Sequence, residues 1–253
     1  MEYKNLDEFL ASAGYTIDGL WYPRVTSIVS IKAKHALYRY YATMASYTQA
    51  ERIKNKSAEE GTLIHEAIQG FMTGKDYPKT PETNAAVKAF VEFNEKTRIE
   101  TDPDWIEHRI VNASERYSGT VDAVALIGGK LGILDIKTSQ SIYRDYSLQT
   151  SAYFSPVKED LPDLSTRWIL RVDLNQSCHK CGALRRVKGG KETIRLNYRN
   201  AYSRECFHEW SELKGDVELQ EFTDFDADFE AFLGAKRLWE WEHLEYLKSF
   251  GYR

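Results

Sequence analysis

Cysteine is scarce in this chain: three residues in 253, at Cys178, Cys181 and Cys206. So small and odd a number argues against a disulfide framework. Long apolar runs are missing as well. None approaches the roughly 18 residues that a membrane helix needs, and the opening MEYKNLDEFL is too acidic and polar for a secretory signal or transit peptide. These absences lead to the expectation of a cytoplasmic protein with no membrane partner. Internal repeats and low-complexity linkers are absent too, and the length suits one domain, 1–253. An overall positive charge is also lacking. The net charge is −4, so the bulk balance gives no hint of nucleic-acid binding. The local balance does. Lys180, Arg185, Arg186, Lys188, Lys191, Arg195, Arg199 and Arg204 are offset within that stretch by Glu192 alone, and an acidic run follows from Glu205 to Glu230. Such a basic segment can track a phosphate backbone, with Arg185 and Arg186 as substrate-binding candidates. The plainer alternative is a solvated hairpin.

What the chain does contain is a sequence of helix and strand signals. The first 30 residues read as irregular or extended, with 22–28 as a short ordered piece. Residues 33–53 are compatible with helix. Ser57-Ala58-Glu59-Glu60 has the form of a capping box opening a helix to Thr73, with Ile64, Ala67, Ile68 and Phe71 as its apolar stripe. Thr80-Pro81-Glu82 starts another helix, with Val87, Phe90 and Val91 as its core face. Residues 105–113 predict a strand and 144–155 a helix. Residues 166–174 and 192–199 predict strands, and Phe229, Phe232, Leu233, Trp239, Leu244 and Leu247 mark a long C-terminal helix. Strands in the middle, with helices before, between and after, predict a three-layer α/β domain.

The most informative stretch is GTVDAVALIGGKLGILDIK, from Gly119 to Lys137. Gly128-Gly129 between two apolar runs predicts a two-residue hairpin turn. Centred there, opposed residues sum to 257, so Asp122 faces Asp135. Opposed residues project from one face, and Lys137, two beyond Asp135, shares it. Two carboxylates and an amine thus converge on strands otherwise built from Val, Ala, Leu and Ile. Charges in such surroundings are costly unless they pair or bind a metal. The set suits a divalent cation with a lysine beside it, and points to phosphodiester hydrolysis. A second acid-x-lysine triplet, Glu212-Leu213-Lys214, has no opposing acid.

Taken in order, Gly61-Thr-Leu-Ile-His65, Gly119-Thr-Val-Asp122, Asp135-Ile-Lys137 and Gln149-Thr-Ser-Ala-Tyr153 resemble the PD-(D/E)XK nuclease superfamily. More narrowly they resemble its RecB-type exonuclease branch, which includes Cas4-like and MGME-like nucleases. Tyr22-Pro23-Arg24-Val25-Thr26-Ser27-Ile28 is similar to an N-terminal segment of that branch, and the likeness covers roughly residues 20–200. The resemblance implies a restriction-endonuclease-like core at about 57–200. Its central mixed β-sheet is flanked by helices, with a helical N-terminal region over residues 1–56 and a C-terminal helical extension over 201–253. It implies His65, Asp122, Asp135 and Lys137 as the catalytic set. His65, the two aspartates and the main-chain carbonyl of Ile136 would hold Mg²⁺ or Mn²⁺, cations that favour oxygen ligands, with the imidazole moving preference toward Mn²⁺. Lys137 would orient the attacking water or steady developing charge. Gln149 and Tyr153 would contact substrate or order the site, and Glu107, on the strand before the hairpin, would support it.

The activity so implied is a metal-dependent deoxyribonuclease, an exonuclease on single-stranded DNA or DNA ends. The alternatives are a structure-selective endonuclease or resolvase, a nucleic-acid-binding protein without activity, and a zinc-stabilised interaction module. Relatives take part in recombination, repair, replication and CRISPR adaptation, so partners from those processes are implied with DNA itself. Some relatives hold an iron–sulfur cluster using a cysteine upstream of the histidine motif. Here all three cysteines follow Lys137, which disfavours a cluster. Cys178-His-Lys-Cys181-Gly resembles half of a zinc knuckle, and Cys206 and His208 are available to complete a Cys₃His site. Tyr38, Tyr40, Tyr41 and Tyr47, among Lys32, Lys34 and Arg39, suit base stacking, or plain packing.

Overall fold

The computed structural model describes residues 3–33 and 35–252. In chain order the elements are α1 (Leu6–Ala13), β1 (Gly14–Ile17), β2 (Leu20–Pro23), α2 (Val25–Val29), α3 (His35–Ala42), α4 (Tyr47–Thr73), α5 (Pro81–Thr97), β3 (Glu100–Thr101), β4 (His108–Asn112), β5 (Tyr117–Val121), β6 (Ala123–Ile127), β7 (Lys130–Lys137), α6 (Tyr146–Asp160), β8 (Leu164–Ser177), β9 (Leu184–Lys188), β10 (Lys191–Arg195), β11 (Lys214–Phe222), α7 (Phe225–Glu242) and α8 (Leu244–Ser249). The main sheet runs β10-β9-β8-β7-β6-β3, with β11 also paired to β8. It is mixed: β7 and β8 are parallel, joined through α6, and the other pairs are antiparallel.

Alternation along the central strands divides the core. Ala123, Ala125, Leu134, Ile136, Leu170 and Val172 pack with Ile64 and Ile68 of α4 and Ala86 and Phe90 of α5. Val124, Ile133 and Leu164 pack with Leu148, Ala152 and Val157 of α6 and Phe232 and Leu233 of α7. Helices thus cover both faces of an α/β sheet, as the order of signals predicts. The terminal segments belong to this second core. Phe9 of α1 stacks on Tyr246 (4.7 Å) and Trp239 (5.9 Å).

Several sequence expectations need correction. The first 30 residues are ordered as α1, a β1–β2 hairpin and α2. The helix expected to be capped by Ser57 begins eleven residues earlier. Ser46 caps it by accepting from Gln49 N (3.2 Å), and Ser57 lies mid-helix with its hydroxyl donating to Ile53 O (2.7 Å). A serine oxygen can bond the preceding turn as well as cap a new one, so the capping-box pattern misled. The long C-terminal helix breaks at His243 into α7 and α8. The expected strand at 192–199 ends at Arg195, and β9 was not foreseen. Strand β11 was missed because it is acidic. Its Asp216 and Glu218 each lie 2.8 Å from the largely buried Arg171 guanidinium, while its backbone completes β8. Thr80 does cap α5, with Pro81 at its first turn.

In α3, Tyr40 OH donates to Ala50 O (2.9 Å), Tyr41 OH bonds Glu51 and its ring stacks on Tyr47 (5.5 Å). Tyr38 and Tyr47 remain exposed, Lys32 pairs with Asp145, and Lys34 lies outside the described residues. No helix among the described residues is long and apolar enough to cross a membrane.

Candidate active site

The Gly128-Gly129 turn fixes the site. Both glycines have positive φ (59° and 80°), the backbone that a two-residue hairpin turn requires. The resulting register, Ile127↔Lys130 through Ala123↔Leu134, has the predicted sum of 257. Pairing stops one step short of Asp122. There the chain bends between β6 and β5, and β5 leaves to pair with β4. Asp122 is therefore opposite Asp135 in count but outside the ladder. Its side chain takes over the ladder's work: Ile136 N donates to Asp122 Oδ2 at 2.7 Å.

Asp135, Ile136 and Lys137 are the last three residues of β7, and helices from both faces reach this end of the sheet. From α4, His65 Nε2 lies 2.9 Å from Asp122 Oδ2. One turn earlier, a Cβ on Gly61 would stand 2.5 Å from Thr138 Oγ1, so glycine allows α4 to close on the chain leaving β7. From α6, Gln149 Nε2 donates to Asp135 Oδ1 (3.0 Å) and to Tyr153 OH (3.0 Å). The Tyr153 ring fits only because residue 119 is glycine: a Cβ there would meet its Cε1 at 2.5 Å.

Asp135 is fully buried. Its Oδ2 is paired with Lys137 Nζ at 2.6 Å. Burial, reinforced by the Asp122 charge, pushes the Asp135 carboxyl up to about 6 against the pull of Lys137. Burial would raise Asp122 too, but the His65 hydrogen bond and charge, Lys137 and the Ile136 N–H hold it below the ordinary carboxylate value. Burial would depress both cationic partners. Asp122 outweighs it at His65, and Asp135 with Asp122 outweighs it at Lys137, so both bases stand above their ordinary values. The site is thus tightly charge-coupled, with one carboxylate strained toward protonation.

Glu107 departs from expectation. It precedes β4 rather than lying on a strand, in a left-handed conformation (φ 55°), with its N–H donating to Asp122 O at 3.1 Å. That bend brings its carboxylate within 4.8 Å of His65 and Asp122. The expected metal set is therefore rearranged: Glu107 joins His65 and Asp122, while Asp135 turns toward Lys137 and Gln149. Gln69, one turn after His65, donates to Glu107. Its spacing of four from His65 was the available signal. Tyr146, whose ring centre is 5.4 Å from Lys137 Nζ, was also missed, as was the contact by which Lys188 of the basic segment donates to Thr138 O. Neither is marked by local spacing.

The structure separates Arg185 from Arg186. They alternate on β9. Arg185 pairs with Glu192 (2.6 Å), next to Trp210, whereas Arg186 pairs with Asp173 (2.6 Å) and lines a cavity of about 350 Å³ with Lys54, Lys188 and Lys191. Burial and the Arg186 charge push Lys188 down to about 8. The chain matches no protein-family model and no curated protein sequence.

Proposed function

We propose that the chain is a metal-dependent nuclease of the restriction-endonuclease-like kind, hydrolysing DNA phosphodiesters as an exonuclease on single strands or ends. The observation that carries this reading is the convergence of His65, Asp122 and Glu107, whose ligand atoms lie within 4.8 Å of one another, beside the buried Asp135–Lys137 ion pair. The donor set of carboxylates with one imidazole fits Mg²⁺ or Mn²⁺. His65, Asp122 and Glu107, whose ligand atoms converge, would hold the cation with the Ile136 carbonyl completing the set, while Asp135 stays paired with Lys137 and Gln149. Bound there, the cation would supply Lewis acidity and a water of lowered pKa.

The chain's own groups divide the remaining work. Lys137, charged at neutral pH because two carboxylates raise its pKa, steadies charge on the phosphoryl oxygens and orients the attacking water. It serves as a donor rather than a base. Gln149 holds Asp135 in place and Tyr153 holds Gln149. The cavity lined by Lys54, Arg186, Lys188 and Lys191 is tied to the site through Lys188, which donates to Thr138 O, and offers a path for the strand's phosphates. Arg185, on the opposite side of β9, contributes little to it.

The test uses end-labelled single- and double-stranded DNA with Mn²⁺, Mg²⁺ or chelator, on wild type and Lys137→Ala. Progressive shortening with metal, abolished by chelator and by the substitution, is expected. Equal degradation in chelator would refute metal dependence, and full activity in Lys137→Ala would refute the site.

A further inference from the structure

The catalytic reading leaves the three cysteines without a role. Cys178 and Cys181 are buried, Cys206 is partly so, and all three are free thiols. With His208 they form a group in which one ligand atom from each residue lies within 4.8 Å of every other. Cys178 Sγ is 3.9 Å from Cys206 Sγ, and Cys181 Sγ is 3.4 Å from His208 Nδ1. The sulfur separation is far beyond the ~2.05 Å of a disulfide. It matches a shared tetrahedral ion. Metal–sulfur and metal–nitrogen bonds of about 2.3 and 2.0 Å set S···S near ~3.8 Å and S···N near ~3.5 Å.

The backbone is shaped for this. Gly182, with φ 75°, turns the chain just after Cys181, and its N–H returns to Cys178 O (2.9 Å). Cys178 N donates to Ala183 O (2.8 Å), and His179 N to Glu209 O (2.8 Å). The last bond ties the Cys-x-x-Cys turn to the segment carrying His208. Around these residues the apolar packing is small: Ala183, with Trp210 alongside the cysteines, forms a cluster separate from the two main cores. So small a core supplies little stability alone, and natural small modules of this kind rely on a staple.

We propose that Cys178, Cys181, Cys206 and His208 form a structural zinc site that clamps the base of the β9–β10 hairpin. Three sulfurs and one imidazole, gathered within 4.8 Å of one another, select zinc over oxygen-seeking Mg²⁺ or Mn²⁺. On binding, the three thiols lose their protons to solvent and the imidazole binds through Nδ1 in its neutral form. The clamp lies between the end of β8 and the start of β9, so it sets the hairpin that carries Arg186, Lys188 and Lys191. The proposal is independent of the carboxylate site.

Metal analysis of the full chain, purified without chelator, tests it. Wild type should carry about one zinc per chain. Asp122→Ala should keep it and Cys206→Ser should lose it. Cys206 is the choice for substitution because it is the least buried of the three thiols. In case that variant does not fold, wild type is titrated with a thiol-directed mercurial, which should release the zinc in step with thiol modification. Cobalt-exchanged wild type should show the intense visible absorption of a tetrahedral thiolate site. Folded protein without zinc, zinc retained in Cys206→Ser or after full thiol modification, or iron with acid-labile sulfide in its place would each overturn the proposal.

Discussion

Gly119→Ala tests whether the packing behind the site sets its chemistry. Residue 119 lies in β5 opposite Ile110, with no positive φ, so its backbone would accept alanine and the glycine is needed only for space. The added Cβ would stand 2.5 Å from Tyr153 Cε1 and 3.3 Å from Val25 Cγ2, where ordinary contact begins at 3.4 Å. The ring must retreat by about 1 Å inside a closed core, an overpacking that costs about 1–3 kcal/mol. For a chain of this size that lowers Tm by about 2–4 °C per kcal/mol. The Tyr153 OH is 3.0 Å from Gln149 Nε2, which also holds Asp135 Oδ1 at 3.0 Å. A shift of that size breaks the relay and releases the carboxylate, and misplacement of about 1 Å can lower turnover ~100-fold. The assays are thermal melting and single-turnover cleavage of labelled DNA, in a double-mutant cycle with Tyr153→Leu, which removes the clashing atom. Gly119→Ala should cost much less when combined with Tyr153→Leu than it does alone. An equal cost in both backgrounds would show that the ring contact is not why glycine is needed, and the reasoning would fail.

Other outcomes follow from the same geometry. Asp122→Ala should abolish cleavage, and Lys137→Ala should lower it at least about 100-fold, each with DNA binding in filter or anisotropy assays largely intact. Lys188→Met should stabilise the protein at pH 7 by about 1–2 kcal/mol. Its folded-state pKa of about 8 lies below the ordinary 10.5, so its stabilising share is present above pH 10.5 and lost as pH falls through 8. The gain from methionine should therefore vanish in melts at high pH, and a pH-independent gain would contradict the assignment. Arg186→Gln should weaken DNA binding and lower its salt slope by about one, while Arg185→Gln should change the slope far less. Equal effects would refute the groove as the phosphate path.

The hairpin was legible because its turn residues and its apolar alternation agree, and agreement of local signals is what makes register readable. That register places Asp135 and Lys137 at the end of β7, but pairing stops at Ala123, and Asp122 reaches the site at a bend where its side chain accepts from Ile136 N. His65, Gln149 and Tyr153 came from the ordered motifs, and the structure brings all three to the same end of β7. Glu107 reaches the site through a left-handed residue at a bend, which no periodicity announces. Lys188 arrives from a hairpin some 50 residues after Lys137, and its contact with Thr138 exists only once β9 packs near α4. The acids of β11 looked like a solvated run because their partner, Arg171, lies on another strand. The clustering of Cys178, Cys181, Cys206 and His208 was readable as a possibility from residue type, but its closure depends on the pairing of His179 with Glu209.

The most direct measurement is calorimetric titration of Mn²⁺ into the DNA-free protein at neutral pH, repeated with Asp122→Ala and Glu107→Gln. The account predicts saturable binding in wild type, lost or weakened at least about tenfold in both variants. Binding of unchanged affinity and stoichiometry in both would contradict it.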